Sequence, residues 1–142
     1  MELQPPLWIL KSEPETYSWN DLCDEGVAMW DGVRNHQAKA NLSRMKHGDL
    51  AYFYHSGKAR ALVGVVEVVR EAYPDPTDDT DRWLAIDVRA IARLSAPLDL
   101  KTLKTLPQLG ASALVRQARL SVIPLSDGEA QEVATHLTFE RM

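Results

Sequence analysis

The stretch Trp30-Asp31-Gly32-Val33-Arg34-Asn35 brings an indole, a carboxylate, a guanidinium and a carboxamide together around an Asp-Gly turn. Glycine enters positive φ without steric cost, so the pair favours a tight reversal. Asn35 directly precedes a helical pattern, His36 to Met45, and suits an N-cap because its side-chain oxygen accepts a first-turn N–H. The implied geometry is strand, turn, helix N-terminus, a corner with spare backbone donors and partial positive charge. The same pattern also fits a plain strand-to-helix connection. Lys11-Ser12-Glu13 forms a second polar group, placed at a strand end by the apolar run Leu7–Leu10 and the stop at Pro14. Residues 12–31 hold six acids and no Lys or Arg, whereas 34–60 hold six Lys/Arg and one acid, a local balance of +5. Three of the four histidines lie in that second window, beside Tyr52, Phe53 and Tyr54. Cations interleaved with aromatics are the means by which proteins hold phosphates and stack bases. A solvated, charged helix face has the same composition.

Length and charge bound the function classes. The 142 residues fit one domain with a sizeable core, and a net charge of −4 argues against attachment to nucleic acid or membrane by bulk charge. The single cysteine, Cys23, excludes an internal disulfide and any multi-cysteine metal site, and fits a reducing, cytoplasmic compartment, with association to a nucleoid left open. It reads as a buried, inert thiol. No signal-peptide pattern opens the chain, and no apolar run approaches the ~20 residues of a membrane span.

The elements that must position these groups follow from periodicity. Residues 1–6 read as an extended tail and 7–142 as one domain. Ser18 with Asp21 predicts a capped short helix carrying Tyr17, Trp19 and Leu22 into the core. Val27–Trp30 is a short apolar run. The helix His36–Met45 aligns Ala38, Leu42 and Met45 and should stop at Gly48. Residues 50–54 alternate as a strand, with Leu50, Tyr52 and Tyr54 on one face. Ala61–Val69 is rich in β-branched residues and reads as a buried strand in which Gly64 marks a bulge or a close backbone approach. Tyr73 to Thr77 should lie outside helix and central strand; Trp83–Leu94 returns to strand and ends at Pro97. Helical segments are expected at 98–106 and 110–117, a strand at 120–123, and a helix opened by Ser126 and Glu129 that runs to about Leu137. Short links between the strands at 50–54, 61–69 and 83–94 favour antiparallel pairing in a curved mixed sheet or small barrel. Trp8 and Trp83 read as core.

Several segments together resemble one family. Trp8-Ile9-Leu10-Lys11-Ser12-Glu13-Pro14 is similar to the opening signature of the EVE domain family, and Trp30 to Asn35 with Gln37-Ala38 to its second motif. Gly48-Asp49 through Phe53-Tyr54-His55-Ser56 resembles the third, Glu71 to Thr77 the fourth, and Arg119-Leu120-Ser121-Val122 with Pro124 the last. The likeness runs over residues 7 to 137. It implies an α+β, PUA-like fold, with a mixed, mostly antiparallel barrel-like sheet and peripheral helices, and kinship with YTH domains that read a methylated base. It implies a non-catalytic module without cofactor that binds DNA or RNA carrying a modified base. Carried onto this chain, the base pocket would comprise Lys11, Ser12, Glu13, Trp30, Gly32, Val33, Arg34, Asn35, Tyr54, His55, Ser56 and Arg119. Two departures stand out. Only Asp78 to Arg82 separate Thr77 from Trp83, where relatives often carry a longer insert that would wall the pocket. Ala118 replaces an expected glycine.

The expected mechanism has three parts. A flipped base stacks on Trp30 or Tyr54, contributing about 1–3 kcal/mol. Ser12, Asn35, Ser56 and the amides of Gly32 to Arg34 read its edge. Arg34, Lys39 and Arg44 hold flanking phosphates. Two other classes are compatible with the residues. If Lys11, Glu13 and His55 converge, they could supply acid–base chemistry on a nucleotide or nucleic acid, although no metal-ligand spacing or phosphate-cradling glycine loop accompanies them. The chain could also be a protein-interaction module, for which Trp30 would be dispensable. Oligomeric state is left open by the sequence.

Overall fold

A computed structural model describes residues 4–142; residues 1–3 of the expected tail lie outside these, and 4–7 carry no regular structure. The apolar run starting at Trp8 forms β1 (Trp8–Ser12), which lies parallel to β3 (Leu50–His55), with Trp8 opposite Ala51 and Ser12 opposite His55. From β3 the chain meanders antiparallel into β4 (Ala61–Pro74) and β5 (Leu84–Asp99), as the short connections require. The edge strands are β2 (Val27–Trp30) on β5 and β6 (Val122–Pro124) on β1, giving the order β2-β5-β4-β3-β1-β6, with β7 (Phe139–Arg141) also on β5. No ladder joins β2 to β6 among the described residues, so the sheet is open. Helix α2 (His36–Arg44) packs against β6 at one end of the order and β5 near the other, so the sheet curls towards closure around it. Asn41, buried on α2, donates its Nδ2 to the carbonyl of Val122 at 2.8 Å.

The remaining helices are α1 (Trp19–Glu25), α3 (Leu100–Leu103), α4 (Ala113–Arg116) and α5 (Asp127–Ala134). Both expected capping boxes form: Ser18 with Asp21 and Ser126 with Glu129. Asn35 caps α2 by accepting the N–H of Ala38 at 2.9 Å. Gly64 shows both features expected of it. The β3–β4 and β4–β5 registers shift beside it, and a Cβ there would sit 2.3 Å from the Trp19 ring. Trp8 is core, and Trp19 packs edge-on against Phe53.

Several boundaries differ from expectation. β4 runs on to Pro74, which opposes Leu84 at the ladder's end, where a missing N–H costs little. β5 passes through Pro97 because its pairing with β4 is interrupted between Arg93 and Leu98, leaving that proline in an irregular stretch. The helices around 98–106 and 110–117 shrink to single turns, and the last predicted strand shifts to Val122–Pro124. β7 was not expected. α2 ends when Met45 turns extended, before Gly48, which instead adopts φ +91° in the turn and donates to the Val68 carbonyl.

Candidate functional site

The corner after β2 is held from 41 to 43 residues away. Asp75, 1 % exposed, accepts hydrogen bonds from the Gly32 N–H at 2.9 Å and the Arg34 guanidinium at 3.0 Å. Its other oxygen accepts from the Thr77 N–H at 2.8 Å and the Thr77 hydroxyl at 2.6 Å. Burial alone would raise the pKa of this carboxyl. The bonds from Thr77, Gly32 and Arg34 outweigh burial and hold it well below the usual carboxylate range. The Tyr73-to-Thr77 segment therefore pins the Asp31–Arg34 turn in place. A proline on each side of Asp75 restricts the backbone that presents the carboxylate.

Beside that turn opens a cleft of about 610 Å³, within the range of small-molecule sites. Its walls are the end of β1 (Lys11, Ser12, Glu13), the following loop (Thr16, Tyr17), Glu25 of α1, the corner Met29 to Val33, and Ser121. Trp30 is only 8 % exposed, wedged edge-on against Phe53 (5.5 Å between ring centres) and Tyr17 (6.4 Å), so it offers the cleft a margin of its ring. Met29 adds apolar surface: alternation along the edge strand β2 turns Val27 and Met29 outward while Ala28 and Trp30 face in. The charged lining is mainly acidic, with Glu13, Glu25 and Asp31 against Lys11. The ammonium of Lys11 donates to the Ala118 carbonyl at 3.0 Å, and burial lowers its pKa. The Tyr17 hydroxyl is buried with no partner at hydrogen-bonding geometry. Burial first, and then the Glu25 and Asp21 charges, raise its pKa, so it stays a proton donor. Among the described residues no group of three or more His, Cys, Asp or Glu is arranged to hold a metal ion.

The sequence-predicted residues divide between the cleft and structural duties. Lys11, Ser12, Glu13, Trp30, Gly32 and Val33 line the cleft. Arg34 and Asn35 do not: Arg34 is tied to Asp75 and Thr77, and the Asn35 oxygen is spent on the helix cap. The Gly32 N–H, expected to meet a ligand, is likewise taken by Asp75. Tyr54 is 3 % exposed, because both faces of β3 are covered, so it is no stacking platform. His55 accepts the N–H of Trp19 through Nε2 at 3.0 Å, and burial lowers its pKa despite the opposing pull of Glu13. Ser56 reaches the Glu13 carboxylate at 3.4 Å from behind the wall. Lys11, Glu13 and His55 therefore do not converge in the cleft. Arg119 is exposed and borders a separate shallow groove with Asn35 and Gln37. Asp31, part of the Trp30–Asn35 stretch, lines the cleft as well. Thr16, Glu25, Met29 and Ser121 are cleft residues that the sequence pattern did not single out, and Tyr17, expected in the core, also borders the cleft; the outward position of Met29 on an edge strand was the available signal.

Of the expected phosphate contacts, Arg34 and Lys39 gather over the half-buried Trp83, at 5.9 and 6.0 Å from the ring centre, with His36 tilted against the same indole at 4.9 Å. Trp83 is thus a seat for this basic corner and not simply core. Arg44, a turn away at the end of α2, is bound to the Asn41 carboxamide oxygen at 2.7 Å. The short loop before Trp83 is folded by Asp78, which accepts from Thr80, Arg82 and Trp83, and it does not border the cleft. Cys23 is half-buried with a thiol pKa raised by burial.

The EVE domain family model matches residues 6–136. The chain belongs to the EVE domain family. Mouse thymocyte nuclear protein 1 is 35 % identical over 156 aligned residues, covering 86 % of this chain and 69 % of that protein. The crystal structure of Atu2648 from Agrobacterium tumefaciens superposes with a TM-score of 0.87 at 40 % identity, over 91 % of this chain and 90 % of the other. Human THYN1, crystallised with DNA containing 5-methylcytosine, superposes with a TM-score of 0.84 at 32 % identity, over 91 % and 95 % of the two chains. The PUA-like architecture implied by the motifs is therefore the architecture found. In this EVE domain the opening motif and the second motif form facing walls of one cleft, and the fourth motif locks the second in position.

Proposed function

We propose that this EVE domain is a non-catalytic reader that binds nucleic acid and takes one flipped, modified base into the cleft between Lys11–Glu13 and Met29–Val33. The observation that carries this reading is the cleft itself. It is roomy enough for a base with its sugar, has an apolar flank of Trp30, Tyr17 and Met29, and is bordered by carboxylate- and hydroxyl-bearing residues. A human relative crystallised with 5-methylcytosine-containing DNA gives the ligand class a precedent. The acid-rich rim favours a base edge that presents donors. A carboxylate accepts from the exocyclic amine of cytosine, whereas thymine offers an acceptor at the same place. A donor left unpaired, or an acceptor facing a carboxylate, is rejected through its desolvation cost. The modification is a weaker signal. One buried methyl contributes about 0.8 kcal/mol, roughly a fourfold preference, unless the niche around it is closely shaped.

Thermal shift with free nucleosides tests this directly, since a ligand that binds only the folded state raises the melting temperature. 5-Methyl-2′-deoxycytidine should stabilise more than 2′-deoxycytidine, thymidine should stabilise least, and mass spectrometry should recover each unchanged. Met29→Ala, at an exposed position, should abolish the shift while leaving the unliganded melt close to wild type. Absence of stabilisation by any nucleoside at millimolar concentration overturns the reading.

A further inference from the structure

A second basic surface adjoins the β1 wall of the cleft, outside the family motifs. Lys58 and Arg60, in the β3–β4 connection, meet Lys101 and Lys104, from α3 and its C-cap, around a groove of about 280 Å³. None of the four forms a salt bridge among the described residues. The single acid in the lining, Asp99, accepts the Thr102 N–H at 2.8 Å and is drawn to one of the four, Lys101, only at longer range than a salt bridge. Arg60 adopts φ +45°, an unusual conformation for a residue with a Cβ, and its carbonyl accepts the Leu100 N–H at 2.7 Å. That bond fixes the two basic segments against each other, and such local strain recurs at binding sites.

We propose that this groove holds phosphates of the nucleic-acid strand whose base enters the cleft, a proposal that rests on the base-reading function above. Two observations join the surfaces. Ser56 donates its N–H to the Ser12 carbonyl at 2.9 Å, and Gly57 backs so closely onto Glu13 that a Cβ would lie 2.8 Å from the carboxylate. The wall of the cleft therefore continues directly into the turn that presents Lys58 and Arg60. Electrostatics supplies the other half. Glu13, Glu25 and Asp31 repel phosphate from the cleft, Arg34 is neutralised by Asp75, and Lys58 and Arg60 in that turn, with Lys101 and Lys104 across the groove, form no salt bridge among the described residues. An acidic slot beside a basic groove thus assigns the base and its backbone to separate surfaces.

The test compares wild type with the triple variant Lys58→Gln, Lys101→Gln, Lys104→Gln, all at exposed positions. The probes are 5-methyl-2′-deoxycytidine and a short single-stranded DNA containing one 5-methylcytosine, each titrated across salt concentration. The variant should melt as wild type does and bind the nucleoside equally. Its affinity for the DNA should fall, and the slope of log affinity against log salt should shrink by about two, from roughly 0.7 per lost phosphate contact on a single strand. Unaltered DNA affinity and slope, with nucleoside binding intact, overturn the groove and leave the base-reading function standing. If wild type binds DNA in a manner that depends on the lysines but binds no nucleoside, the groove stands and the cleft reading fails. If wild type binds neither probe, both are overturned.

Discussion

Replacing Asp75 should weaken the domain more than a change at any predicted ligand contact, although Asp75 does not itself line the cleft and meets it only through the Gly32 N–H. Four donors converge on its carboxylate, two from Thr77 and one each from Gly32 and Arg34, and its side chain is fully buried. A hydrogen bond to a charged group contributes about 1.5–3 kcal/mol net, but the four cannot be summed. The Arg34 side chain is 40 % exposed, and Gly32 and Thr77 also lie at the surface, so their donors regain water once the carboxylate is gone. An overall loss of about 3 kcal/mol for Asp75→Ala is the reasonable balance, and roughly half of that for Asp75→Asn, which keeps an acceptor but not the charge. At this chain length such losses lower the melting temperature by roughly 6–12 °C for Ala and about half as much for Asn.

The pH dependence supplies the sharper check. The folded carboxyl has a lower pKa than the ~3.9 of an unfolded aspartate, so the folded state binds fewer protons and stability rises with pH through that region. Its contribution is complete above about pH 5 and is lost as the pH falls below about 4 towards the depressed folded value. Thermal melts of wild type and both variants should therefore differ most at neutral pH, and the gap should narrow progressively below about pH 4 as the pH approaches the depressed folded value. Nucleoside affinity should fall in parallel, because Asp31 to Val33 lose their anchor. Variants that melt within about 1 °C of wild type at neutral pH, or a gap that persists unchanged in acid, would refute the proposed role of the carboxylate.

Three further outcomes are expected. Gly64→Ala should destabilise by about 3 kcal/mol or more, since the new methyl overlaps the rigid Trp19 ring, and chemical denaturation measures it. Asn35→Ala should cost about 1 kcal/mol through the lost cap, with Asn35→Asp restoring it; a large loss of nucleoside affinity at unchanged stability would instead place Asn35 on the ligand. His55 has a folded pKa below the ~6.5 of an unfolded histidine, so wild type should lose stability as pH falls through about 6.5, a step separate from that of Asp75. His55→Gln, which retains a side-chain acceptor for the Trp19 N–H, should flatten that step in pH-dependent melts, and an unchanged step would assign it to another group.

What the sequence revealed and what it hid follow a physical division. Capping is local, so Asn35, Ser18 with Asp21, and Ser126 with Glu129 were legible from residues three apart. The antiparallel meander was legible because short connections leave few alternatives. Arg34 was misread because its partner is 41 residues distant; counting cations along the chain cannot show which of them an acid has already claimed. Tyr54 was placed in the pocket by the family resemblance, and alternation along β3 could not show that both faces are covered: Trp19 and Trp30 pack on Phe53 on one side, and Tyr54 is itself buried on the other. Pro97 stopped the predicted strand because a register interruption, which makes proline harmless there, depends on the partner strand and not on the sequence around it.

The same division explains why the cleft and its surroundings use charge in opposite ways. The acids at 12–31 and the cations at 34–60 look like a simple polarity along the chain. The fold separates them differently: three of the acids line the cleft, Arg34 and Lys39 settle on Trp83, and Lys58 and Arg60 join Lys101 and Lys104. A chain with net charge −4 can therefore present a local basic groove without holding nucleic acid by bulk attraction. Under the proposed function, its affinity for a strand should rest on few phosphate contacts and depend only moderately on salt, with the acidic cleft selecting the base. A reader built this way gains discrimination from the base edge, because the sequence-blind share of its binding is small.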